Sequence, residues 1–227
     1  MGYIQLDHLV KQYGTGEAAV MALRGISLEI QEKELIAIMG ESGSGKSTLL
    51  SLMGALNSPT SGTYTVAEID VYALDQEERA DFRREFLGFV FQSFHLVPYL
   101  TVRENVMLPL APVKMKRKEK RDLAEEALRR VRLAGKTHRL PGQISGGEQE
   151  RVAVARAIVK RPPILLADEP TGNLDTKTSD EIMRLIQGLN SEGMTIIMVT
   201  HSPMNAQFAH RIIQLRDGKI LQGEMER

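Results

Sequence analysis

The sequence predicts an α/β protein with three parts: a parallel-sheet core, an antiparallel β flank and a mainly helical segment inserted near the middle. Three observations carry this reading. The loop Gly40-Glu41-Ser42-Gly43-Ser44-Gly45-Lys46-Ser47 fits G-x-x-x-x-G-K-[ST] and stands between an apolar run, Leu35–Met39, and a helical pattern from Ser47 onward. Two later apolar runs, residues 163–167 and 194–199, end in polar residues, as central parallel strands do when they present side chains at their C-terminal edge. From about 93 to 158 the pattern turns helical and interrupts the α/β alternation.

Composition narrows the function. At 227 residues the chain can bury a sizeable core unaided, and its 29 basic and 29 acidic residues give no global field to collect nucleic acid. There is no cysteine, and the five histidines form no tight cluster, which removes disulfides, thiolate nucleophiles and Cys-ligated zinc. The N-terminus lacks a basic segment followed by an apolar one, and no stretch approaches the roughly 18 apolar residues of a spanning helix. Any membrane role is therefore expected to use a partner.

Taken in order, residues 4–13 and 26–30 alternate apolar and polar side chains and read as half-buried strands of the flank, with a small-residue loop over 14–20. Tyr13, at the end of the first strand, either stacks on a nucleotide base or is an ordinary edge aromatic. The phosphate loop and its helix follow, then turn formers at 57–62 and a strand over 63–66 returning to the flank. Residues 75–84 read as a solvated helix, and 87–92 as a second buried strand ending in Gln92. A Pro-punctuated stretch leads to Thr101, which with Glu104 forms a capping box. Leu123, Ala127, Leu128 and Val131 mark an amphipathic helix over 118–133. After a loop at 139–143, Ser145 and Glu148 open a helix running to Ile158, and another helix is expected over 178–189. The chain finishes as a hairpin turning at Asp217-Gly218.

The candidate chemistry lies at the strand ends. Side chains at Gly40, Gly43 and Gly45 would obstruct the approach of phosphate oxygens to backbone N–H groups. Lys46 is placed to reach the β- and γ-phosphates and Ser47 to ligate Mg²⁺, while the N-terminus of the helix, with Thr48 in its first turn, adds partial positive charge. Asp168 is suited to hold Mg²⁺ through water, and Glu169 to accept a proton from an attacking water. Gly146-Gly147 at a helix start are costly as plain helix residues, so an anion or a close backbone approach explains them better, although a capped helix start needs nothing more. His201 is a structural histidine or joins the other strand ends that carry chemistry.

Together these residues resemble, over essentially the whole chain, the nucleotide-binding subunit of ABC transporters. Tyr13 falls at the adenine-stacking aromatic, Gly40 to Ser47 at the Walker A loop, and Gln92 at the Q-loop. Ser145-Gly146-Gly147 match the signature, Asp168 and Glu169 Walker B, Asp175 the D-loop and His201 the switch histidine. Ile144, Glu148 and Glu150 depart from the commonest signature spelling, where Leu, Gln and Gln stand. The Ser-Gly-Gly-Glu-Gln spelling, the loop after Tyr13 and Gly172-Asn173-Leu174-Asp175 look most like the LolD, MacB and FtsE branch.

The resemblance implies the ABC ATPase fold: a P-loop NTPase (RecA-like) core with an antiparallel β flank over 1–92 and 159–227, and a helical signature subdomain over 93–158. It implies two copies sandwiching two ATP molecules head to tail, with Ser145-Gly146-Gly147 and Glu148 of one copy facing Walker A of the other and Asp175 beside it. Gln92, with Ser47 and Asp168, would approach the metal, and Gln92 and His201 would position the γ-phosphate. It also implies an integral membrane permease-type partner, no nucleic acid, and a cytoplasmic place on the inner face of the membrane. Phe94, Leu96, Val97, Tyr99 and Leu100 either line a groove for a short partner helix or pack inside the lobe. A division-type nucleotide-gated scaffold and a soluble ATPase acting on nucleic acid are the competing readings.

Overall fold

The computed structural model describes residues 2–221 and 225–226, so residues 1, 222–224 and 227 of the expected core lie outside it. In chain order the elements are β1 (Ile4–Tyr13), β2 (Val20–Ile30), β3 (Leu35–Met39), α1 (Lys46–Met53), β4 (Ser61–Val66), β5 (Ile69–Asp70), α2 (Gln76–Phe86) and β6 (Leu87–Phe91). There follow α3 (Val102–Met107), α4 (Arg117–Arg130), α5 (Gly146–Ile158), β7 (Ile164–Asp168), α6 (Thr176–Ser191), β8 (Thr195–Thr200), α7 (Pro203–Ala206), β9 (Arg211–Arg216), β10 (Lys219–Ile220) and β11 (Met225–Glu226).

Two sheets form. The flank is antiparallel in the order β2-β1-β4-β5, and the core sheet runs β10-β9-β3-β8-β7-β6 with β11 on β9. Strands β9, β3, β8, β7 and β6 pair in parallel, which brings the ends of β3, β6, β7 and β8 to one edge. The parallel strands are apolar on both faces because both are covered. Ile36, Ile38, Leu166, Ile197 and Val199 face the flank and α1, whereas Leu35, Ala37, Leu165, Ile196 and Met198 face the helices. The helical core, including Val102, Val106, Leu128 and Val152, is continuous with that second face. The inserted helices are thus held by apolar burial, worth about 25 cal/mol per Å².

Local chemistry sets the helix starts. Asp75 with Glu78, Thr101 with Glu104 and Ser145 with Glu148 each complete a capping box in both directions. The Pro-punctuated loop before α3 is fixed by Asn105, fully buried, whose side chain accepts from Val97 N and donates to the carbonyls of Val97, Leu100 and Thr101. The Asp217-Gly218 turn has φ of 49° and 75°, the double positive φ of a type I′ hairpin.

Some boundaries differ from expectation. Strand β2 begins at Val20 rather than 26, because β1 pairs with it as far as Tyr13↔Val20 and the ladder holds an outer half whose side chains are mostly exposed. The broken alternation in β1 is a bulge: the register shifts between Leu6 and Leu9, and His8 has φ of 46°. The short α7, absent from the sequence reading, starts with a Ser202 cap and Pro203 at its first position.

Candidate functional site

The loop after β3 wraps into α1 under tight constraint. Gly43 and Gly45 have φ of 82° and 104°, which side chains rarely adopt. A Cβ on Gly40 would lie 2.1 Å from the Leu215 carbonyl oxygen and one on Gly45 2.6 Å from that of Ala22, so β2 and β9 clamp the loop from both sides. Glu41, Ser42 and Gly43 form the exposed rim. Lys46 folds across it, donating to the carbonyls of Gly40 at 2.8 Å and Glu41 at 2.9 Å. Ser44 is buried with its hydroxyl unpartnered by protein, and Thr48 is half-buried in the first turn of α1. A glycine cradle, a lysine held over its mouth and an unpartnered hydroxyl fit a polyphosphate.

Beside the loop, β7 delivers Asp168 to the neighbourhood of the Ser47 hydroxyl. Burial, then the neighbouring Glu169, pushes the Asp168 pKa up, and Ser47 and Lys46 partly offset that. Glu169 takes φ of 48°, a left-handed conformation that costs a non-glycine residue on the order of 1–3 kcal/mol. Its N–H donates to the Val199 carbonyl at 2.9 Å. The pairing of Asp168 with Val199 then puts His201 within reach, with Nδ1 2.7 Å from Glu169 Oε1. Thr200 Oγ1 approaches Oε2 at 3.5 Å. Lys46, Ser47, Asp168, Glu169 and His201 thus gather at one sheet edge. Among the described residues no group of three or more His, Asp or Glu could hold a metal. The candidate metal donors are a hydroxyl and a carboxylate, a set suited to Mg²⁺, which keeps waters and phosphate oxygens as its other ligands.

The remaining candidates are more spread. Phe91 pairs with Asp168, so Gln92 ends its strand at the same edge. Its side chain lies against Gly172, and Asn173 Nδ2 donates to its carbonyl at 2.8 Å; among the described residues it makes no hydrogen bond to Ser47 or Asp168. Tyr13 sits at the flank corner, its paired residue Val20 two places before Ala22 of the clamp. Lys11 Nζ lies 4.9 Å from the Tyr13 ring centroid, and Asn57 Nδ2 donates to the hydroxyl at 3.0 Å.

Ser145, Gly146 and Gly147 start α5 against α6, not against the phosphate loop. A Cβ on Gly147 would fall 2.3 Å from Thr178 Cγ2, and one on Gly146 would touch Leu174. The Glu148 carboxylate serves the cap and pairs with Lys136, which hold its pKa below the usual range. Asp175 caps α6 through Thr178. Within one chain no hydrogen bond or ion pair joins these residues to the loop among the described residues.

Two cavities flank the edge. One of about 420 Å³ is lined by Glu169, His201, Leu174, Met204 and Phe208 among others. Asn205 Nδ2, bonded to Thr171 Oγ1 at 2.6 Å, braces its wall; neither residue was singled out by sequence, and the Asn205 side chain has no spacing signal to find it by. The other cavity, about 640 Å³ and more apolar, lies between α2, β6 and α5. Its lining includes Phe89, Phe91, His95, Leu108 and Pro109, and not Phe94, Leu96, Val97, Tyr99 or Leu100. Leu96 instead packs on the core, and Tyr99 is 79% exposed.

Comparison with known proteins agrees with this geometry. The family model described as ABC transporter matches residues 23–172. The chain is 48% identical over 221 residues to the uncharacterized ABC transporter ATP-binding protein YvrO of Bacillus subtilis (strain 168), covering 97% of this chain and 96% of that protein. It is 44% identical over 218 residues to the macrolide export ATP-binding/permease protein MacB of Shigella flexneri, covering 96% of this chain but 34% of that protein. The chain therefore spans about a third of the length of its MacB relative. The dimeric structure of MJ0796, described as a bacterial ABC transporter cassette, superposes with a TM-score of 0.89 at 45% identity over 98% of both chains. A dimeric post-hydrolysis state of the ATP-binding cassette MJ0796, bound to ADP and Pi, gives the same TM-score at 43% identity. Loop, acidic strand end and whole-chain similarity converge: the chain belongs to the ABC transporter family, as an ATP-binding subunit with the cassette ATPase fold.

Proposed function

We propose that this subunit hydrolyses ATP as a head-to-tail homodimer and uses the closure and opening of that dimer to drive a separate integral membrane partner. The observation that carries this is the gathering of Lys46, Ser47, Asp168, Glu169 and His201 at one strand edge, with Ser145-Gly146-Gly147 turned away from it. A second copy would supply the missing signature face, with Asp175 beside it and Tyr13 against the adenine.

In this reading the loop from Gly40 to Thr48 cradles the phosphates, and Lys46 exchanges its two carbonyl partners for β- and γ-phosphate oxygens. Ser47 and Asp168, with Gln92 swinging in from Gly172, would hold Mg²⁺, which when bound neutralises phosphate charge. Glu169, fixed by His201, accepts a proton from the attacking water as the new P–O bond forms and the γ-phosphorus bond to the bridging oxygen breaks. The fixed carboxylate favours turnover over a purely scaffolding role.

The 640 Å³ groove, which opens beside the segment following Gln92, suits a short partner helix and would transmit closure to it. The subunit would then lie on the inner face of the membrane through that partner. No helix among the described residues is long and apolar enough to cross a membrane. Export is the direction suggested by the MacB likeness.

The test is ATP turnover by purified protein with Mg²⁺ and with excess chelator. Turnover is expected with the metal and to fall at least about a hundredfold without it, because unshielded phosphate charge opposes attack. Undiminished turnover in chelator would remove the metal from the reading.

A further inference from the structure

Residues 114–121 carry Lys114, Lys116, Arg117, Lys118, Lys120 and Arg121 against the single acid Glu119, in a chain whose formal charge is zero. Folding does not disperse this charge. Glu119 is committed to the Lys116 N–H at 2.9 Å, Lys120 donates to the Ala111 carbonyl, and Arg121 shares Glu125 with Arg103. Lys114, Lys116, Arg117 and Lys118 are exposed, and none has a carboxylate in ion-pair range among the described residues.

The placement opposes stability. Cations at the N-terminus of α4 face the positive end of its dipole, and Arg117 and Arg121 repel at an i,i+4 spacing. A local rule broken without a stabilising return marks a functional surface. The run also begins two residues after Pro112, which with Leu108 and Pro109 lines the apolar groove. Between α3 and α4 lies a cavity of about 460 Å³ walled by Arg103, Arg117, Lys118 and Arg121 against two carboxylates, Glu104 and Asp122. The Glu104 carboxylate is engaged by Thr101.

We propose that Lys114, Lys116, Arg117 and Lys118 form a docking surface for the anionic phospholipid headgroups of the bilayer in which the membrane partner sits. This rests on the reading that the adjacent groove faces that partner. A bilayer fits better than nucleic acid because residues 114–121 contain no aromatic on which a base could stack, and a short basic segment beside a membrane partner attracts an anionic leaflet.

The experiment is flotation of the purified chain, without ATP, with vesicles of phosphatidylcholine alone or mixed with phosphatidylglycerol at about seven to three. Each exposed cation multiplies partitioning about fivefold near such a surface. Binding is therefore expected on anionic vesicles only, weakening steeply with salt, and the Lys114→Gln/Lys116→Gln/Arg117→Gln/Lys118→Gln variant should lose on the order of a hundredfold. An unchanged circular dichroism spectrum and unchanged basal ATP turnover would show that the variant is folded. Equal binding to neutral vesicles, no binding to anionic ones, or retained binding in the variant overturns the proposal. So does salt-sensitive DNA or RNA binding without vesicle binding, or cation-dependent assembly with a membrane partner in detergent without vesicle binding. The assay needs neither ATP nor partner, so vesicle binding with no turnover would sink the ATPase reading alone.

Discussion

Glu169→Gln is expected to lower steady-state ATP turnover by about 10²–10⁴-fold while leaving nucleotide affinity within a few-fold of wild type. In the proposed mechanism the carboxylate is where a water opposite the leaving phosphate oxygen loses its proton, and it is held there at some cost. Its backbone is left-handed at φ of 48°, its N–H is bonded to Val199, and His201 grips Oε1 at 2.7 Å. Gln keeps the volume and the contact to His201 but accepts no proton. Rapid-quench hydrolysis alongside equilibrium nucleotide binding separates the two effects. Wild-type turnover in Glu169→Gln would remove the carboxylate from the chemistry and leave its strained backbone without a purpose.

Glu150→Gln is expected to stabilise the fold by about 2 kcal/mol at pH 8 and to flatten its pH dependence. Glu150 is fully buried on α5 with neither carboxylate oxygen hydrogen-bonded. Burial pushes its pKa up to about 8, against a lesser opposing pull from Arg156. The folded protein therefore keeps a proton that the unfolded chain releases near pH 4.5. Because the unfolded state then binds fewer protons, this group's contribution to stability is complete below about pH 4.5 and is lost as pH rises to about 8. Denaturant unfolding at pH 5 and pH 8 checks it: wild type should be less stable at the higher pH and the Gln variant nearly indifferent. Equal wild-type stability at both values would show that the carboxyl finds a partner or water on ionising.

The parts of this protein that were legible in its sequence are those fixed by local period and turn chemistry. Leu35–Met39 followed by the glycine loop and α1 could be read directly, and so could the capping boxes at Thr101 and Ser145 and the Asp217-Gly218 turn; the third box, at Asp75, emerged only in the structure. What tertiary contacts create was not legible. The outer half of β2, from Val20, exists because β1 pairs with it, and α7 is a single turn. Asn105 looks like any polar helix residue until its four bonds to the preceding loop are seen. The site divides the same way. Residues at strand ends were found from their positions, but the grip of His201 on Glu169 follows from β7 lying beside β8, which no spacing discloses. Gln92 lies over Gly172, and the groove is lined by Phe89, Phe91 and Leu108, because packing of α5 on β6 decides which apolar residues stay open.

One chain holds half of the site proposed for ATP hydrolysis, since its signature residues lie against Leu174 and Thr178 and not against the phosphate loop. The most direct measurement is the solution mass of Glu169→Gln by light scattering, with and without saturating Mg-ATP. One chain is expected without nucleotide and two with it, reverting to one when Gly147→Glu places a side chain at the signature face. A mass of one chain at full ATP occupancy, with wild-type turnover per molecule independent of protein concentration, would contradict it.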